Sequence, residues 1–367
     1  MRYRTLRTFQ NVKARRWRFA GATALVVLTG LVAGCASDTA PEPAAEPAPA
    51  ATSMLPDMDV PTDNPITPEK IELGKQLFFD TRISDNGEFS CENCHLPEMG
   101  WGDGLALSIN AAGNTNTRHS PTLYNVGYYS EFYWDGRMPT LEDQVLAAWR
   151  GQAGATPDMI AERLAGIPGY AEQFQSAMGT GVTADAIVDA LSTFIRSLEA
   201  DGSPWDQYEL GDTTAVSADA IAGFDVFSLD DKANCTLCHL PPLYTDTLFH
   251  NIGVGFDSDT PDLGRGAFLA RQEPPAEDAA EFNGAFKTPT LRNVTLHAPY
   301  FHDGSAATLE EAVDYVLSGG HANEWLDERM QPRTITDEEK AQLMEFLRAL
   351  TSDTGDFERP ELPPDAE

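Results

Sequence analysis

Two Cys-x-x-Cys-His motifs, Cys91-Glu92-Asn93-Cys94-His95 and Cys235-Thr236-Leu237-Cys238-His239, constrain this chain more than any other feature. The spacing has a chemical cause. Two thiols one helical turn apart reach the two vinyl groups of one porphyrin, and the adjacent imidazole comes up beneath its iron. A chain carrying two such motifs has to fold around two covalently held haems of the c type. The cysteine arithmetic agrees. Of five cysteines, four lie in the motifs and only Cys35 is left, so a disulfide framework is excluded. Structural zinc would need a second converging ligand pair at each motif, and the sequence offers none that is obvious.

Haem attachment of this kind belongs outside the cytoplasm, and residues 1–34 read as the export signal. Arg2, Arg4, Arg7, Lys13, Arg15, Arg16 and Arg18 form a basic head, followed by an apolar stretch from Gly21 to Gly34. As a helix that stretch would span about 21 Å, short of a bilayer core of roughly 30 Å, so a signal peptide is expected rather than an anchor. Val32-Ala33-Gly34-Cys35 resembles a lipobox, which makes Cys35 the lipid-attachment site. A plain signal peptide with an incidental cysteine is the alternative. Arg15-Arg16 hints at twin-arginine export, although the rest of that motif is poor. Residues 35–61 are Pro-, Ala- and Glu-rich and read as a disordered tether, and residues 353–367 as a similar acidic tail.

Removing residues 1–34 takes away seven Lys/Arg and no acid, leaving 18 basic and 57 acidic residues, a formal charge of −39. Such a surface argues against nucleic acid as a partner. It would steer in a basic or dipolar redox protein, although solubility alone also accounts for acidity.

The motifs sit in a repeat. Thr67, as N-cap, and Pro68 open a helix containing Gly74 and Phe78, and Ser217 opens a second containing Gly223 and Phe227. Each half also closes on a helix. Ile187, Val188, Leu191, Phe194, Ile195 and Leu198 recur at helical spacing after Thr183. A Thr336/Glu339 capping box precedes Leu343, Phe346, Leu347 and Leu350. The expected fold is all-α: two cytochrome c-like domains, residues 62–205 and 206–352, each with one covalently bound haem c and with little β structure.

Five further stretches carry a resemblance: Glu72–Asp80, Ser120–Asn125, Tyr133–Arg137, Lys287–Asn293 and Ala298–Ser305. With the haem motifs they make the chain, from about Pro65 to Leu350, similar to the bacterial di-haem cytochrome c peroxidase family, which includes the MauG-type enzymes. The resemblance implies a division of labour. The haem on His95 would react with peroxide, the haem on His239 would receive electrons from a donor, and Trp134 would bridge them. A packing tryptophan at a domain interface is the alternative for Trp134.

Departures from the family pattern locate what is particular to this chain. Many family members cap the N-terminal iron with the histidine of a Ser-Val-Gly-His stretch; here Ser108-Ile109-Asn110-Ala111 stands there, and Ala111 cannot ligate. The resemblance therefore implies an open sixth position at rest. Gln144 matches a distal glutamine, whereas the distal glutamate falls near Gln152, which can orient peroxide but not relay its proton. Glu142 could replace it or be a solvated helix residue. The trans ligand of the second haem falls at Val316, with Tyr315 beside it as candidate axial ligand or packing residue, and His321 and Met330 further off. The calcium side chain of the family is replaced by His119, with carbonyl positions at His297 and Pro299, so calcium binding is expected to be weak or absent. His250 and His302 are read as structural.

Three readings follow. The first is reduction of hydrogen peroxide with electrons from a small cytochrome c or cupredoxin. The second is a MauG-like oxidase that uses peroxide to modify a protein or organic substrate, towards which Ala111 and Gln152 lean. The third is a pure electron carrier, which an open haem disfavours. The expected location is the periplasm, with membrane contact through a lipid anchor only, and the resemblance allows a homodimer.

Overall fold

The structure, a computed structural model, describes residues 53–365. The signal peptide, Cys35 and most of the tether lie outside the described residues. Among the described residues no helix is long and apolar enough to cross a membrane.

Ten α-helices are assigned in this span. They are α1 (Pro68–Phe79), α2 (Leu141–Gly151), α3 (Pro157–Ala165), α4 (Pro168–Met178), α5 (Ala184–Arg196) and α6 (Pro204–Glu209), then α7 (Ala218–Ser228), α8 (Gly264–Leu269), α9 (Leu309–Leu317) and α10 (Asp337–Ala349). Their starts follow the capping chemistry of the sequence. The side chains of Thr67, Thr183, Ser217 and Thr336 each accept a backbone N–H of the first turn, and Thr336 and Glu339 form the reciprocal box. β structure among the described residues is one antiparallel pair, β1 (Phe249–His250) and β2 (Phe286–Lys287).

Two apolar cores organise these helices, one running from Leu73 to Ala200 and one from Trp205 to Leu350. In the first, α1 crosses α5 at Gly74, where a Cβ would sit 2.0 Å from the Ala190 carbonyl oxygen. In the second, α7 crosses α10 at Gly223, where a Cβ would sit 1.9 Å from the Gln342 carbonyl oxygen. Only glycine permits either approach. Trp205, expected at the end of the first half, packs 4.8 Å from the Phe346 ring and belongs to the second core.

The repeat reaches further than the helices. Ser120-Pro121-Thr122-Leu123-Tyr124-Asn125 aligns with Thr288-Pro289-Thr290-Leu291-Arg292-Asn293, and Phe132–Met138 with Tyr300–Ala306, at a constant offset of 168 residues (120 to 288, 132 to 300). The backbone obeys it: Asn125 and Asn293 have φ of 59° and 57°, and the bridges Phe132–Met138 and Tyr300–Ala306 are equivalent. The halves exchange backbone hydrogen bonds at the junction. The His119 N–H donates to the His302 carbonyl at 2.7 Å, and the Lys287 N–H to the Trp134 carbonyl at 2.8 Å. These two bonds are mates under the repeat.

The tail departs from expectation. Residues 353–365 lie on the first half rather than free. Phe357 stacks 5.3 Å from Phe79 and meets Trp101 edge-on at 5.1 Å. Arg359 pairs with Glu92 and Glu98, and Asp365 with Arg82 at 2.6 Å. The tether's last residues are also held, with Met58 against Gly127. Average composition hid one aromatic and a few charges that find specific partners.

Candidate functional site

Each motif histidine is held the same way. His95 Nδ1 is 2.7 Å from the Trp101 carbonyl oxygen, and His239 Nδ1 is 2.9 Å from that of Tyr244. Trp101 and Tyr244 adopt left-handed φ of 64° and 52°, which turns those carbonyls towards the rings. With the proton on Nδ1, the lone pair is on Nε2, the arrangement a metal-ligating imidazole needs. Burial lowers the basicity of both rings and keeps them neutral, as ligation requires.

A largely apolar cavity of about 240 Å³ lies against Cys235, Cys238 and His239. Leu343 and Leu347 of α10 wall one side, and the cavity runs to Trp134 at the junction. Thiols, oriented imidazole and apolar walls together fit a covalently held haem. The Trp134 indole N–H donates to the His119 carbonyl at 2.9 Å. This fixes the indole between the two halves, half-buried rather than packed in either core.

The first half brings two of its predicted distal residues together. Ala111 N–H donates to the Gln152 carbonyl at 2.8 Å, so the alanine in the ligand position and the glutamine in the acid position are neighbours. The Ser108 hydroxyl and the side-chain oxygens of Gln144 and Gln152 are closed off from solvent without hydrogen-bond partners.

Glu142 does not belong to this group. It grips Arg196 through both carboxylate oxygens, at 2.6 and 2.9 Å, and accepts a bond from Asn64 at 3.0 Å. It is neither a distal acid nor a solvated residue but the counter-charge that joins α2 to α5. Tyr315 also departs from its expected place. Its hydroxyl donates to the Ile252 carbonyl at 3.2 Å and accepts the His321 N–H at 3.3 Å. The cavity beside His239 is instead walled by Val316 and Met330. One residue along a helix turns a side chain through about 100°, and that rotation separates Tyr315 from the cavity.

The calcium position does not fit calcium. His119 presents an imidazole whose Nδ1 is used on the Leu105 carbonyl at 2.8 Å and whose buried Nε2 is unpartnered. A hard cation that selects oxygen finds nitrogen there.

The partners of two residues escaped the sequence reading, which has His250 as structural. Tyr133, at φ 63°, lies with its ring 3.4 Å from the Arg137 guanidinium carbon and its hydroxyl against Gln144. His250 is clamped by Asp246 at Nε2, 2.8 Å, and by Asp327 at Nδ1, 2.6 Å, beside Cys238. The adjacency of Tyr133 to Trp134 was the available signal for the first. For the second, Asp246 and His250 stand four residues apart, but Asp327 comes from a distant loop.

Comparison with known proteins gives a consistent picture. A family model described as di-haem cytochrome c peroxidase matches residues 68–214. The chain is 38% identical to the methylamine utilization protein MauG of Methylorubrum extorquens, over 83% of this chain and 84% of that protein. It is 33% identical to the cytochrome c551 peroxidase of Nitrosomonas europaea, over 82% of this chain and 86% of that one. Among solved structures it is similar to a MauG-like protein associated with microbial copper homeostasis. The TM-score is 0.73 at 30% identity, covering 82% of this chain and 94% of that chain.

Proposed function

The chain belongs to the di-haem cytochrome c peroxidase family, and from that premise we propose that it reduces hydrogen peroxide to water with electrons from a small cytochrome c or cupredoxin. The pairing of Ala111 with Gln152 supports peroxide chemistry in the first half, common to this reading and the next, because a side chain able to cap the N-terminal iron is missing from the place where the family keeps one. Haem c, held by Cys91, Cys94 and His95 and by Cys235, Cys238 and His239, supplies peroxide cleavage and the storage of oxidising equivalents.

The chain's own residues do the rest. Gln144 and Gln152 offer amides that orient the peroxide. The Trp101 and Tyr244 carbonyls hold each proximal imidazole in one tautomer. Trp134, fixed by the His119 carbonyl, shortens the path between the halves. Met330, which lines the same cavity as His239 and Val316, would be the further side chain to hold the second haem's iron in this reading. Its thioether would raise that site's reduction potential, so Met330→Ala lowers the potential in a redox titration. The protein would act in the periplasm as a lipoprotein anchored through Cys35.

A second reading has its own support. Neither glutamine relays a proton and Glu142 is committed to Arg196, which favours slow, MauG-like oxidation of a protein or organic substrate. One experiment separates the two. The fully oxidised, haem-loaded protein receives hydrogen peroxide and then reduced small cytochrome c, without pre-reduction. Rapid catalytic donor oxidation is expected. A long-lived spectral change with negligible turnover overturns the peroxidase reading in favour of the oxidase.

A further inference from the structure

The carbonyl that orients His95 belongs to a residue in a conformation it would not adopt alone. Trp101 has φ 64°, in the left-handed region that a bulky side chain enters only where its surroundings fix it. Its ring is buried in a cage of aromatic side chains. Phe78 and Phe194 meet it edge-on at 5.7 and 5.9 Å, and Tyr124 at 6.5 Å. Phe357 comes nearer than any of these, edge-on at 5.1 Å. That ring arrives from beyond α10, after the chain has completed the second half.

Phe357 is itself pinned. It stacks on Phe79 at 5.3 Å with the planes 29° apart, and Lys75 Nζ lies 4.8 Å from its ring centroid. Two residues on, Arg359 pairs with Glu92, inside the first haem motif, and with Glu98 at 3.0 Å, between that motif and Trp101. Arg82 then donates to the Pro363 carbonyl at 2.9 Å and to Asp365 at 2.6 Å. The segment thus holds the turn that runs from Cys91 to Trp101 along its length. The second half differs. Tyr244, whose carbonyl orients His239, is packed by Phe227 and Phe346 of its own core, at 6.1 and 6.0 Å.

We propose that Phe357, anchored by Arg359, is a positioning residue for the first haem: it keeps the Trp101 carbonyl on His95 Nδ1 and so sets how strongly that imidazole donates to iron. An imidazole whose Nδ1–H is held by a carbonyl is the more basic ligand, and a more basic proximal ligand lowers the reduction potential of the iron it holds. The inference rests on haem attachment at His95 and is independent of whether peroxide oxidises a redox donor or another substrate. It gives the C-terminal segment control over one haem and leaves the other to its own core.

The test is a redox titration of the haem-loaded full chain, followed by paramagnetic resonance so that the two ferric haems are read separately. Phe357→Ala is expected to raise the potential of the His95 haem, shifting its ferric–ferrous equilibrium about tenfold, or about 59 mV for one electron. The His239 haem stays where it is, and Phe357→Tyr restores the wild-type value. If Phe357→Ala fails to load haem, the wild-type chain is given a protease site at the exposed Thr354-Gly355 and cut only after loading. Freed of the released peptide and measured in molar salt, which screens the charges removed, it shows the same rise. The proposal is overturned if the first potential is unmoved in the two-haem variant or in the cut protein, or if both potentials move together. A wild-type chain carrying fewer than two haems overturns the attachment reading itself and the proposal with it.

Discussion

Arg196 is 5% exposed and remains a tolerable charge because Glu142 meets both its terminal nitrogens. Glu142→Gln leaves that guanidinium without its counter-charge, and a loss of about 2 kcal/mol in unfolding free energy is expected, moderated by the partial exposure of Glu142. Peroxide turnover should be unchanged; loss of a distal acid would slow it by about 10²–10⁴-fold. His250 gives a pH signature. Burial opposes its charge, but Asp246 and Asp327 overcome this and hold its pKa above the ordinary 6.5. The stabilisation is complete below about 6.5 and is lost as pH climbs through the raised value. The gap in unfolding midpoint between the wild type and His250→Gln should therefore close as pH rises above about 6.5. At this scale the sequence disclosed residues set in a continuous motif, such as Trp134 in Tyr133–Arg137. It did not disclose Tyr315's orientation, which depends on helix rotation, or the clamp on His250, which depends on a loop 77 residues away.

Helix starts were legible because a capping hydroxyl acts on its own first turn, as Thr67 does on Lys70. The crossings were less so. Gly74 and Gly223 stand out in their helices, but that each admits a backbone carbonyl from another helix needs the tertiary structure. Gly223→Ala would place its Cβ 1.9 Å from the Gln342 carbonyl oxygen and must push α7 from α10. A loss of roughly 1–3 kcal/mol is expected, read as a lower unfolding midpoint with the haem-to-protein ratio unchanged. The C-terminal segment was misread for the converse reason. Its Pro and acid content is that of a free tail, and only Phe357 and Arg359, finding Phe79, Trp101, Glu92 and Glu98, make it a strap across the first motif.

Across the whole molecule, the two halves are alike in plan and unlike where chemistry differs. Trp134 corresponds to His302, Gln144 to Ala312 and His119 to Lys287 under one offset (134 to 302, 144 to 312, 119 to 287). The polar amide and the indole thus fall to one half only. The reciprocal bonds of His119 to His302 and of Lys287 to Trp134 carry a consequence for ancestry. Two-fold exchange of equivalent segments is how identical subunits meet in a symmetric dimer. The present chain is what tandem fusion of such a dimer would leave, with the former subunit boundary now the junction at which Trp134 stands. A gene cut between Ala200 and Trp205 should accordingly yield two polypeptides that each remain incomplete alone and associate when co-expressed, recovering as a pair the haem spectrum of the single chain.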